Sequence, residues 1–256
     1  MLTERFDEAL LYALDAHDEQ TRKGTEIPYA AHLMSVASLV LEAGGTEDEA
    51  VAGLLHDAVE DAGGAERLVD IRARFGDEIA DAVGECSAEE KAPDLDWAAR
   101  KRRYIAGLES CSASALRVSL ADKVHNARAI LADYRMLGDR LWARFNAPGA
   151  EGVLWYYGEL AAAYQRRAAE LDRSLLAELH RTIGELRLLL PRPGCKRCGA
   201  GDVVPVVIGM PSADEYPREE AGQVVFAGCI VSEGTPNWAC QVCGHQWQDF
   251  ERKHSW

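Results

Sequence analysis

The sequence predicts a mainly α protein: an all-helical body followed by a small β-rich module. Three observations carry that expectation. From Thr3 to about Leu190 apolar residues recur at three- and four-residue spacing, the period of helices with one buried face. Alternation of β-branched residues is nearly absent over the same stretch. From LLLPRPGCKRCG onward, Pro, Gly and short β-branched runs replace the helical period, as strands and turns require.

The elements follow in order. Phe6, Leu10, Ala13 and Leu14 form the stripe of a first helix, Leu33, Val36, Ala37 and Val40 a second, and Val51, Leu54, Leu55 and Val59 a third. Thr46 is the N-cap of that third helix, and Glu47, Asp48 and Glu49 place negative charge at the positive end of its dipole. A further helix is expected from near Ser112 to Met136 and another over Glu151 to Ala169. Pro191, Pro193 and Gly194 stop the last helix. The boundary therefore falls near Pro191, giving a body of residues 1–190 and a module of residues 191–256. Within the module, Val203 to Ile208 and Gln223 to Ile230 read as short strands.

Charge and apolar patterning narrow the function classes. The formal net charge is −14, from 28 basic and 42 acidic residues, which speaks against wrapping nucleic acid because phosphate backbones need a basic face. A small phosphorylated ligand is still compatible, since one metal ion and a few cations create a local positive site. No run approaches the roughly 20 apolar residues of a membrane span. The N-terminus, MLTERFDEALLYALDAHDEQ, is charged and amphipathic with no signal-peptide core, so a cytoplasmic location is expected.

Candidate chemistry starts at LLHDAVEDAG, Leu54 to Gly63. His56 and Glu60 are four apart, as are Asp57 and Asp61; on a continuous helix each pair stacks one turn apart on one side. A bare His-Asp pair is usually an exposed acidic helix end. Here His32 stands on an upstream helical stretch, and Asp122 interrupts the apolar pattern of LRVSLADKVHNARAI, with Asn126 one turn later. His32, His56, Asp57 and Asp122 would form a two-His, two-Asp site drawn from three helices. Such mixed nitrogen and oxygen ligation suits Mn²⁺, Fe²⁺ or Zn²⁺ with open positions for water.

Four motifs carry a resemblance: AHDEQTRKGTEIPYAAHL (Ala16 to Leu33), AVAGLLHDAVEDAG (Ala50 to Gly63), FGDEIADAV (Phe75 to Val83) and LRVSLADKVHNARAI (Leu116 to Ile130). In this order they resemble the HD-domain superfamily and, within it, the hydrolase domain of alarmone enzymes related to RelA/SpoT. The resemblance implies that His32, His56, Asp57 and Asp122 are metal ligands, with Mn²⁺ the usual ion. It implies that Glu60 and Asp61 position and deprotonate the attacking water, that Arg22 and Lys23 contact the nucleotide, and that Asn126 lies near the ribose and 3′ phosphates. The implied activity is metal-dependent hydrolysis of the 3′-pyrophosphate of (p)ppGpp, or of an adenine analogue such as ppApp, releasing pyrophosphate. Rival readings are another HD-type nucleotide phosphohydrolase, acting on nucleoside monophosphates or dNTPs, and a non-catalytic nucleotide sensor.

Two positions depart from the family pattern. Leu33 follows His32 where relatives commonly carry Pro, and Ser119 stands where many carry Lys. The segment Leu141 to Leu160 resembles stand-alone bacterial relatives; its Trp142, Trp155, Tyr156 and Tyr157 suit either base stacking or core packing. Residues 191–256 are too few for the synthetase domain of the long alarmone enzymes, so degradation rather than synthesis is expected.

Cys195, Cys198, Cys240 and Cys243 close two CxxC knuckles, a strong structural Zn²⁺ signal because four thiolates satisfy a tetrahedral ion. The module resembles a zinc ribbon, and metal binding would supply folding energy that so small a core lacks. Cys229 and His245 are spare ligand candidates, with Cys229 read as a buried small residue. The module's few cations disfavour nucleic acid and leave a protein partner, in a regulatory or docking role, as the expected contact of its surface.

Overall fold

The computed structural model describes residues 2–87, 95–190, 192, 194–207, 216–227, 236 and 238–247. The body consists of α1 (Glu4–Ala16), α2 (Ala30–Glu42), α3 (Glu47–Leu55), α4 (Ala58–Asp61), α5 (Gly64–Phe75), α6 (Asp77–Cys86), α7 (Trp97–Gly107), α8 (Ala113–Leu137), α9 (Gly149–Arg166) and α10 (Arg173–Leu189). A 3₁₀ segment, Gly138–Arg144, links α8 to α9. Thr46 caps α3 as expected, in a reciprocal box with Glu49: the Thr46 hydroxyl accepts from the Glu49 N–H at 3.2 Å, and the Glu49 carboxylate accepts from the Thr46 N–H at 2.8 Å.

α8 is the axis of the body, packed by α2, α3, α6 and α10. Its buried face includes Leu116, Leu120 and Val124, which meet Leu33, Leu54 and Leu55 in a fully buried cluster. Against that apolar background the helix also buries Ser119 and Asp122, and a buried polar group is tolerated only with partners. Tyr156 and Tyr157 of α9 are core residues, and Trp142 and Trp155 pack partly buried against the core, Trp142 beside Tyr134 and Trp155 beside Trp97. Where α2 crosses α3, Gly53 leaves no room for a side chain: a Cβ there would lie 3.3 Å from the Ala37 Cα and 3.4 Å from its N.

The expected continuous helix over Leu54 to Gly63 is a correction. α3 ends at Leu55 and α4 begins at Ala58, with His56 and Asp57 in the turn between. The local cause is competition for backbone groups. The His56 Nδ1–H donates to the Gly53 carbonyl at 2.8 Å, taking an acceptor that a continuing helix would use. The two halves therefore point their side chains independently.

Beyond α10 the chain forms β1 (Val203–Val207), the short α11 (Tyr216–Glu220), β2 (Val225–Phe226), β3 (Trp238–Cys240) and β4 (Gln246–Trp247). The sheet order is β2-β1-β3-β4. β1 pairs β2 in parallel and β3 antiparallel, and β3 pairs β4 antiparallel. The first expected strand is β1, with Ile208 outside the described residues. Of the second, only Val225–Phe226 is strand, and residues 228–230, including Cys229, lie outside the described residues. Cys195, Val203, Trp238, Cys240 and Trp247 form a small core of their own.

Candidate functional site

Three segments bring the predicted ligands together. α2 supplies His32, the α3–α4 turn supplies His56 and Asp57, and α8 supplies Asp122. The His32 Nε2 lies 3.4 Å from Asp57 Oδ2 and 3.3 Å from Asp122 Oδ1; the His56 Nε2 lies 3.0 Å and 3.8 Å from the same two atoms. Both imidazoles are almost completely buried, 1% and 4% exposed, yet neither Nε2 has a hydrogen-bond partner. Ligands at about 2.1 Å from one ion stand about 3.0–3.4 Å apart at right-angle or tetrahedral positions, the spacing of three of these four contacts; His32, His56 and Asp57 lie within 4.8 Å of one another, and Asp122, 3.8 Å from His56, sits at the edge of that group. Two orphaned nitrogens facing two carboxylates fit a divalent cation.

The electrostatics point the same way. Burial works against charge on His56, but Asp57 foremost and then Asp122 outweigh it and raise the imidazolium to about 9. Burial likewise opposes the Asp57 carboxylate, and His56 and His32 hold it well below the usual range. Asp122 is buried, and Lys123 followed by His32 holds it down in turn. The cluster is built to sit around positive charge.

Outer partners fix the ligands in place. The Tyr29 hydroxyl donates to Asp57 Oδ2 at 2.6 Å, and Lys123 Nζ donates to Asp122 Oδ2 at 2.6 Å. Asn126 Nδ2 donates to Asp122 Oδ1, and its own Oδ1 accepts from Arg22 Nη2 at 2.6 Å. His32 Nδ1 lies 2.8 Å from His125 Nδ1. For His32 to offer Nε2 to a metal, its Nδ1 must carry the proton, so His125 Nδ1 must accept. Burial, and then His32 and Arg22, push the His125 imidazole down to about 4, which keeps that lone pair available.

Glu60 and Asp61 lie exposed on α4 beside this centre. Arg22 and Lys23 come from a loop that turns back on itself, with a bridge between Thr21 and Pro28. Arg22 joins the centre through Asn126, whereas Lys23 points away to Asn146 at 3.4 Å. Ser119 does not face the centre. Its hydroxyl lies 2.6 Å from Tyr104 Oη and 2.6 Å from Tyr164 Oη, joining α7, α8 and α9 by a buried hydroxyl chain. Sequence reasoning passed over Tyr29, Lys123 and His125, although Tyr29 and His125 each stand three residues from a ligand, one helical turn away.

In the module the four knuckle sulfurs lie within 4.8 Å of one another, with Cys195 Sγ 3.7 Å from Cys243 Sγ and Cys198 Sγ 3.6 Å from Cys240 Sγ. Four sulfurs tetrahedral about Zn²⁺ at 2.3 Å stand about 3.8 Å apart. The knuckles are twins: Gly199 N–H donates to Cys195 O at 2.8 Å and Gly244 N–H to Cys240 O at 2.9 Å. Each of these glycines has φ near +70°, a conformation that costs any other residue strain. Burial opposes the Cys195 thiolate, but the backbone N–H groups of Cys198 and Arg197 point at it and bring it down to about 6. His245 stands outside the sulfur cluster, its ring stacked on Trp247 at 5.6 Å.

Comparison with known proteins agrees with this geometry. The HD domain family matches residues 9–147. The chain is 36% identical over 124 residues to a guanosine-3′,5′-bis(diphosphate) 3′-pyrophosphohydrolase, MESH1, of Xenopus tropicalis, covering 47% of this chain and 66% of that protein. It is 34% identical to the Drosophila melanogaster protein of the same name, covering 48% and 68%. With the bifunctional (p)ppGpp synthase/hydrolase SpoT of Escherichia coli K12 it shares 31% identity over 129 residues, 18% of that protein. A solved structure described as a metazoan ortholog of SpoT that hydrolyzes ppGpp superposes with a TM-score of 0.59 at 26% identity, over 74% of this chain and 99% of that one. Among the described residues, no helix is long and apolar enough to cross a membrane.

Proposed function

Because the chain belongs to the HD-domain family, we propose that it is a metal-dependent phosphohydrolase that removes pyrophosphate from the 3′ position of ppGpp or pppGpp, or of an adenine counterpart such as ppApp. One observation carries the reading: two buried imidazole nitrogens without hydrogen-bond partners converge on two carboxylates, beside exposed acidic residues. The names of the relatives supply the substrate class.

In this reading His32, His56, Asp57 and Asp122 hold the catalytic ion, with Mn²⁺ the expected one. A bound divalent ion lowers the pKa of a water molecule and polarises a phosphoryl oxygen. Glu60 and Asp61 orient the attacking water and take its proton. Water attacks the phosphorus bonded to O3′, the P–O3′ bond breaks, and O3′ takes up a proton, so that GDP or GTP (ADP or ATP from the adenine counterpart) leaves with free pyrophosphate. Arg22 and Asn126 bind the nucleotide at the mouth of the site, and Lys23 adds positive charge at the rim. The Tyr29 hydroxyl keeps Asp57 Oδ2 oriented. The same reading divides the chain into a catalytic body, residues 1–190, and a Zn²⁺-stabilised module, residues 191–256, whose surface is offered to a protein partner.

The test is incubation of the purified chain and Mn²⁺ with ppGpp, ppApp, GTP and dGTP, with products resolved by chromatography. Intact pyrophosphate from the 3′-pyrophosphorylated substrates, with GTP and dGTP left whole, is the expected result. Efficient dGTP hydrolysis with ppGpp and ppApp untouched would place the chain with other HD nucleotide phosphohydrolases instead.

A further inference from the structure

We propose that Gln20, itself locked by His17, is the positioning residue that aims Asp61 at the attacking water. The inference rests on the reading of Asp61 as a carboxylate that handles that water. Asp61 ends a four-residue helical turn and is exposed, where an Asp side chain would sample several rotamers. Among the described residues its side chain makes one hydrogen bond, accepted by Oδ2 from Gln20 Nε2 at 2.7 Å. The other oxygen, Oδ1, is left for a ligand.

Gln20 can hold this aim because both its ends are fixed. Its Oε1 lies 2.6 Å from His17 Nδ1. A carboxylate only accepts, so the amide nitrogen must face Asp61, the amide oxygen must face His17, and His17 Nδ1 must carry the proton. His17 is only 4% exposed and caps the C-terminal end of α1, its N–H bonded to the Ala13 carbonyl at 3.2 Å. Its ring stacks on Tyr29, with centroids 5.1 Å apart and planes 22° from parallel. Tyr29 in turn holds Asp57. The backbone is pinned as well: Gln20 N–H donates to His17 O at 3.0 Å, and Tyr29 N–H donates to Gln20 O at 2.8 Å. One rigid unit, the end of α1 and the returning loop, thus addresses a metal ligand through Tyr29 and the water-handling carboxylate through Gln20. A solvated surface glutamine would need neither the buried imidazole nor the paired backbone.

The experiment compares wild type, Gln20→Met, Asp61→Asn and the double variant, in Mn²⁺-loaded full-length protein with ppGpp. Met keeps the length of the side chain and deletes both hydrogen bonds. Gln20→Met should lower kcat by about 10- to 100-fold, the usual cost of an outer-shell partner. KM, the Mn²⁺ dissociation constant by calorimetry and the thermal midpoint should stay within about twofold or a few degrees of wild type, which a merely structural role would not leave untouched. In the Asp61→Asn background the same change should do almost nothing, because aim without the carboxylate is worth nothing. A Gln20→Met enzyme at wild-type kcat overturns the proposal. So does an equal loss in both backgrounds, or a kcat loss that travels with lost Mn²⁺ affinity. If Asp61→Asn alone turns over normally, the reading of Asp61 itself fails and the proposal falls with it, an outcome identified without touching Gln20.

Discussion

Ser119 gives the sharpest test of how the body is held around its site. Ser119→Ala deletes one oxygen that bridges two tyrosine hydroxyls at 2.6 Å each. Tyr164 is 0% exposed, so its hydroxyl has no access to water once the serine is gone. Leaving a buried hydroxyl unpaired costs about 1–3 kcal/mol. Tyr104 and Ser119 also line a cavity of about 180 Å³ together with Cys86 and Cys111, and a water there can rescue part of the Tyr104 bond. The expected loss is therefore about 2 kcal/mol, set mainly by Tyr164. For a body of this size that lowers the melting midpoint by about 4–8 °C, measured by far-ultraviolet circular dichroism at constant metal. The diagnostic variant is the triple change Tyr104→Phe, Ser119→Ala, Tyr164→Phe. Removing every hydroxyl of the chain leaves no unpaired group, so the triple variant should be more stable than the single one. A single variant within about 0.5 kcal/mol of wild type, or a triple variant less stable than the single, refutes the reasoning, since the penalty of an unmade bond would then not be what the serine prevents.

Three further outcomes follow from the site. If, as proposed, the Arg22 guanidinium binds substrate and transition state alike, Arg22→Ala should raise KM for ppGpp more than it lowers kcat; a kcat loss at constant KM would contradict that. His125→Phe keeps a ring beside His32 but removes the acceptor of its Nδ1–H, so Mn²⁺ affinity should fall by about 10- to 100-fold in calorimetric titration, and unchanged affinity would remove His125 from the metal's support. The Cys195 thiol is lowered from 9.0 to about 6. Against the Ala200 N–H, burial and the neighbouring knuckle thiols push Cys198 up to about 12, so the thiolate that starts metal uptake is that of Cys195, present above about 6 and lost as pH falls through that value. Zn²⁺ uptake by chelator-stripped protein, followed by the near-ultraviolet signal of Trp238 and Trp247, should accordingly slow below that pH, and a rate constant flat from pH 5 to 8 would contradict it.

The helical period of the body was legible because each stripe buries one face, and Thr46 announced its own cap. His32, His56, Asp57 and Asp122 could be picked out because charged residues inside apolar helices demand a partner. The break at His56–Asp57 was not legible, since it arises when an imidazole claims the main-chain carbonyl of Gly53, an event that no spacing of apolar residues records. Ser119 was legible only in part, for a related reason. As a letter it reads as a missing cation near a metal ligand; in the fold it faces two tyrosines on other helices. The knuckle cysteines were plain, while β3 and β4 were too short to leave an alternating pattern.

Gly53 has a mechanical corollary. Because α2 and α3 touch there main chain to main chain, the gap between the helix that carries His32 and the turn that carries His56 is a hard stop with no compliant side chain to act as a spring. In the proposed site the pair of imidazoles would work like a fixed-jaw gauge, selecting ions by radius and yielding to a poor fit by losing affinity instead of widening. A methyl group inserted at Gly53 would act as a shim, pressing the Ala37 main chain back by a few tenths of an ångström, and the proposed site would register that as a change in which divalent ion it prefers.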